Sequence, residues 1–157
     1  MAECVYCRAI ESGGDVLYSD DLVVAMMPKK PWAAGHVVLL PKKHYAILEQ
    51  VPVKTVEQLY AVANRLGVAV FQSVDAHGVN MVLNNGVGAG QRFSHVMMHI
   101  VARRDGDGLG LVWSPVQVSA QALDVVCQKL RALFSAPVQV EQVHPDQWIF
   151  DQLTRIP

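Results

Sequence analysis

The chain has 157 residues, with 13 Lys+Arg against 14 Asp+Glu, 52% hydrophobic residues and 17% charged ones. A high apolar fraction with a formal net charge of only -1 excludes a disordered chain, and a chain this long can bury about two-thirds of its unfolded surface without disulfide staples. No apolar run approaches the roughly 20 residues that span a bilayer, MAECVYCRAIESGGD lacks a signal-peptide hydrophobic segment, and no basic cluster suits a nucleic acid; a cytoplasmic location, without membrane or nucleic-acid partners, is the expectation.

Cys4 and Cys7 form a C-x-x-C pair ahead of any strong strand, with Gly13 and Gly14 soon after. In a reducing compartment such a pair suits a metal site or a redox couple better than a structural disulfide, with two idle thiols as the plain alternative. A redox couple of the thioredoxin type follows a buried strand and opens a helix, a context missing here. Val16 to Tyr18 and Leu22 to Met27 predict a hairpin turning at Ser19-Asp20-Asp21. Gly35 to Pro41 is a β-branched and aliphatic run bounded by glycine and proline, which predicts a strand buried on both faces. Val56, Leu59, Ala63, Leu66 and Val70 share one helical stripe and predict the longest helix. Val79 to Leu83 and Phe93 to Ala102 predict two more strands, separated by the glycine-rich run Asn84 to Gly90. That run does not suit a dinucleotide-binding turn, because a strand rather than a helix follows it. Ala120 to Phe134 predicts a second amphipathic helix in which Cys127 is a buried small hydrophobe among Leu123, Val126 and Leu130. One β-like stretch, Val138 to Val143, and one apolar cluster, Trp148 to Phe150, complete the chain.

His95 and His99 fall on one predicted strand with Met97 between them, so alternation puts these three on one face and Val96, Met98 and Ile100 on the other. Two solvated strand histidines would give the same pattern. His36 and His44 flank the other buried strand and bring four imidazoles into reach of one another, whereas His77 and His144 have the setting of ordinary surface residues. Cys4, Cys7 and two of these histidines would make a Cys₂His₂ zinc set, although at much wider spacing than a zinc finger.

C-V-Y-C, G-H-V-V-L-L-P-K-K-H, N-N-G-V-G-A-G-Q, H-V-M-M-H-I-V and G-D-G-L-G-L-V-W follow one another in an order that resembles the histidine triad (HIT) family over residues 4 to 113, in particular its zinc-containing bacterial and archaeal members. The resemblance implies an α+β HIT fold: a five-stranded antiparallel sheet, one long helix and a C-terminal helix, in a homodimer. Residues 1–135 would form the domain and residues 136–157 an extension packed on the domain or dimer. The implied metal ligands are Cys4, Cys7, His44 and His95, with zinc as cofactor. The implied partner is a nucleotide or another phosphorylated small molecule, contacted by Asn84, Gly90, Gln91, Arg92 and His99, with amides of the Gly86 to Gly90 loop adding donors. His36 and His99 match the outer histidines that orient the family's site.

Three positions depart from the family pattern. Met97 stands where the family has its nucleophilic histidine, Pro28 where it has a ribose-binding aspartate, and Arg92 where a serine commonly follows the loop glutamine. A thioether cannot form the nucleotidyl intermediate that an imidazole forms. The expectation is therefore a nucleotide-binding protein whose hydrolase or transferase activity is lost or altered. An enzyme with a non-standard mechanism and a dimeric interaction module are the alternatives.

Overall fold

The structure is a computed structural model and describes residues 4–110 and 115–135. Its elements are α1 (Val5–Ser12), β1 (Val16–Ser19), β2 (Val23–Met26), β3 (Val37–Pro41), α2 (Val53–Ser73), β4 (Gly78–Leu83), β5 (Met98–Arg103) and α3 (Ala120–Ser135). The five strands form one antiparallel sheet in the order β1-β2-β3-β5-β4, as expected. Residues 4–109 lie in one compact unit, and α3 belongs to a second.

Both central strands carry aliphatic side chains on each face, and each face has its own cover. Val23, Ala25, Val37, Leu39, Met98 and Ile100 pack against Leu59, Val62, Ala63 and Val70 of α2. The three- and four-residue spacing of that stripe is why α2 forms here and lies flat on the sheet. Gly67 lies on its buried side, and a Cβ there would stand 2.6 Å from Met81 Cε, so the missing side chain makes room for β4. On the opposite face, Val24, Met26, Val38, Leu40 and Met97 meet Tyr6, Ala9 and Ile10 of α1.

The first hairpin turns on one carboxylate. Asp20 Oδ1 accepts the amides of Leu22 and Val23 at 2.8 Å each, while Oδ2 accepts from Tyr18 Oη at 2.8 Å and Gln58 Nε2 at 2.6 Å. Burial raises the Asp20 pKa, but these four hydrogen bonds outweigh it and bring it down to about 2. A depressed folded-state pKa contributes stability that is complete above the unfolded value near 4 and is lost as pH falls toward 2. Thermal melts across that interval should show a steeper acid loss for the wild type than for Asp20→Asn; parallel curves would remove Asp20 from the account.

Three expectations are corrected. The strand placed at Phe93 to Ala102 begins only at Met98, because the residues before it hydrogen-bond elsewhere: Val96 N–H donates to Tyr45 O at 2.7 Å, and His95 Nε2 to Pro41 O at 3.0 Å. Strict alternation therefore does not extend to His95. Cys127 is exposed, as are Leu123, Val126 and Leu130, so the apolar stripe of α3 is not a buried core within its own unit. The C-x-x-C pair, expected not to open a helix, stands at the start of α1; Tyr6, Ala9 and Ile10 supply the inward stripe of that helix. The stretches at Val138 to Val143 and Trp148 to Phe150, and His144, lie outside the described residues.

Candidate functional site

The four expected metal ligands converge. Cys4 caps the start of α1 and Cys7 lies one turn on, so both thiols are on one side of that helix; His44 follows β3, and His95 precedes β5. Their donor atoms all lie within 4.8 Å of one another. Cys4 Sγ is 3.5 Å from His95 Nδ1, and Cys7 Sγ is 3.4 Å from His44 Nδ1 and 3.7 Å from His95 Nδ1. Zinc bound tetrahedrally, with sulfur at about 2.3 Å and nitrogen at about 2.0–2.1 Å, needs sulfur–nitrogen edges of about 3.6 Å. The donor set therefore fits a tetrahedral ion. His95 is fully buried, and its Nε2–H donates to the Pro41 carbonyl, which leaves the Nδ1 lone pair directed at the thiols. Burial, followed by the hydrogen bond and charge of Cys4, raises the Cys7 thiol to about 11, and a divalent cation would supply the charge that opposes this. This group could hold a metal ion, and it would pin α1 to the sheet.

A second imidazole pair lies on the same side of the sheet. His99 pairs across the ladder with Val38, and its Nδ1 is 3.0 Å from His36 Nε2. The Trp32 backbone N–H donates to His36 Nδ1 at 2.9 Å. That donor decides the protons of the chain: His36 Nδ1 accepts, so neutral His36 carries its hydrogen on Nε2 and donates to His99 Nδ1, and neutral His99 must present Nε2–H. Burial depresses both histidines to about 4, with the charge of His36 adding to the effect on His99, so neither carries charge at neutral pH. The Trp32 indole stacks on both rings, at 4.7 Å and 29° from His36 and 4.3 Å and 22° from His99. Sequence reasoning missed Trp32. The only signal was an aromatic residue in the short turn ahead of Gly35-His36.

His36 and His99 open onto a cleft of about 1000 Å³ whose lining also includes Met26, Val38 and Met97. Met97 is buried in the apolar cluster on that face of the sheet. Among the described residues Arg8, Lys29, Lys30 and Arg92 line the cleft with Asp15 as the one acidic group, so an overall acidic chain has a locally cationic hollow. Pro28 is part of the lining, as are Asn84, Gly90 and Gln91.

The loop from Gly86 to Gln91 is held from within. Gln91 Oε1 accepts the Gly86 amide at 2.8 Å, while Nε2 donates to the carbonyls of Ala46 at 2.7 Å and Phe93 at 2.8 Å. Both amide hydrogens of Gln91 are thus engaged, and its side chain ties the loop to the segment carrying His44 and His95. Gly90 closes the short turn at 87–89 with φ of +87°, a conformation open to glycine, and Asn84 Nδ2 reaches the Gly90 carbonyl at 3.5 Å.

Comparisons with known proteins agree with this geometry. The HIT domain model matches residues 10–106. The chain is 32% identical over 109 residues to adenylylsulfatase HINT3 of Arabidopsis thaliana, a match covering 68% of this chain; the chain spans only about half, 55%, of that protein. It is 29% identical over 134 residues to adenosine 5'-monophosphoramidase HNT1 of Saccharomyces cerevisiae, covering 83% of this chain and 82% of that one. A zinc-bound histidine triad family protein from Mycobacterium smegmatis superposes with a TM-score of 0.65 at 28% identity, over 86% of this chain and 98% of that chain. The sheet order, the paired imidazoles beside the glycine loop and the match across more than half of the sequence together make this chain a member of the HIT domain family.

Proposed function

We propose that the cleft binds a nucleotide or a related phosphorylated small molecule, that zinc held by Cys4, Cys7, His44 and His95 is structural, and that nucleotidyl transfer is lost or altered because Met97 stands at the nucleophile position. The observation that carries this reading is a donor without a nucleophile. His99 offers Nε2–H to a cationic cleft, while Met97 in that cleft offers only a thioether packed among Val24, Met26, Val38 and Leu40.

In this reading His99 Nε2–H donates to a phosphoryl oxygen, and Lys29, Lys30 and Arg92 neutralise its charge. Amides of the 86–90 loop add donors, and Gln91 and Asn84 hold that loop in place. The relatives named adenylylsulfatase and adenosine 5'-monophosphoramidase support a nucleotide as ligand. A water-attacking enzyme is the second reading, but the Trp32 amide weighs against His99 as its base. A base at His99 Nε2 would need the hydrogen on Nδ1, which would turn His36 Nδ1–H toward the Trp32 N–H. Neutral His99 then serves as a hydrogen-bond donor.

Among the described residues no strand pairs with the outer edge of β4, and with Met81 half-exposed that edge is consistent with a homodimer. No described helix is long and apolar enough to cross a membrane. Calorimetric titration of the metal-replete protein with adenosine and guanosine monophosphates should give saturable binding. Absence of binding at millimolar ligand would overturn the nucleotide reading.

A further inference from the structure

Trp32 has two faces in different environments. Its ring centroid lies 4.7 Å from His36 and 4.3 Å from His99, and the two imidazoles are 5.2 Å apart. Rings on opposite sides of an indole would be separated by nearly the sum of those two distances, so both imidazoles lie on the same, inner face. No other ring among the described residues stacks on Trp32, and the side chain remains 44% exposed while lining the cleft. A large aromatic surface has thus been left open in a hollow whose cations include Lys29 and Lys30, on the same short segment between β2 and β3.

We propose that the outer face of Trp32 is a stacking platform for a planar ring of the ligand, so that the cleft selects aromatic phosphates, of which purine nucleotides are one kind, over phosphates without a ring. This rests on the proposed binding of a phosphorylated ligand and adds what the rest of that ligand must be. The chemistry follows from the two halves of the site. Indole offers a flat, polarisable surface that any base can cover, and the adjacent lysines hold the anionic end close to it. The inner face meanwhile keeps the His36–His99 pair covered, so one residue both positions the donor and reads the ligand.

The test is calorimetric titration of the full chain with AMP and with ribose 5-phosphate, which share the sugar phosphate and differ by the base. In the wild type AMP should bind about tenfold or more tighter than ribose 5-phosphate, the range expected for one stacked base. Trp32→Leu should bring that ratio close to one, and Trp32→Phe should restore part of it. Because the result is a ratio, general damage to the cleft, which weakens both ligands alike, leaves it unchanged. A ratio that stays near its wild-type value in Trp32→Leu, or a wild-type ratio near one, overturns the stacking platform alone. If the wild type binds neither ligand, the phosphate-binding reading falls and the platform with it.

Discussion

Met97→His raises the rate of adenosine 5'-phosphoramidate hydrolysis by on the order of a thousandfold or more, since loss of a covalent nucleophile can cost about 10⁶ in turnover in another hydrolase. The side chain at position 97 borders the cleft beside Val38, on the face of the sheet that carries His99. An imidazole there would find a phosphate-oriented donor already in place, and it would add the attacking lone pair that the thioether lacks. The substitution also puts a polar ring into an apolar cluster, which costs about 1–3 kcal/mol if it finds no hydrogen-bond partner. A fall in stability alongside a rise in turnover is therefore the expected signature. Equal rates for the two proteins would mean that Met97 is not what limits the chemistry.

Stripping the metal should have the largest effect on stability. Structural zinc contributes on the order of 10 kcal/mol apparent at neutral pH, comparable with the whole stability of a domain of this size. α1 has only eight residues, none of them fully buried, and a helix that short is marginal without tertiary support. Protein purified without added metal should carry about one zinc per chain, and a chelator or Cys7→Ser should lower the melting midpoint by roughly 20 °C or more. Amide exchange should rise first in residues 5–12, while β2 and β3, buried on both faces, remain protected. A metal-free protein with an unchanged midpoint would show that α1 is held by Tyr6, Ala9 and Ile10 alone.

How far the sequence reveals this site varies with the kind of contact involved. The buried strand Val37–Pro41 and the stripe of α2 are periodic, so their positions follow from pattern alone. The ligand set is separated by up to 91 residues, between Cys4 and His95, and no spacing rule joins such distant positions. Resemblance to a family supplied the grouping, and the fold brings the donor atoms together. β5 begins five residues later than its apolar run, because His95 and Val96 bond to Pro41 and Tyr45, partners that local pattern does not reveal. Gln91 is a ligand contact only by resemblance to the family, and local pattern likewise does not reveal the three backbone groups that its side-chain amide bonds in the fold. Trp32 has no periodic signature. Its stacking on His36 and His99 depends on the path of the connection from Pro28 to Gly35 between the neighbouring strands β2 and β3.

The central claim is the proposal that this HIT domain holds a nucleotide while nucleotidyl transfer is lost or altered because Met97 stands at the nucleophile position. The most direct measurement mixes the metal-replete wild-type protein with adenosine 5'-phosphoramidate, records the binding heat, and then measures AMP release in the same sample. Saturable one-to-one binding with AMP no higher than in a protein-free control is the predicted result, and catalytic release at the rate of Met97→His would contradict it.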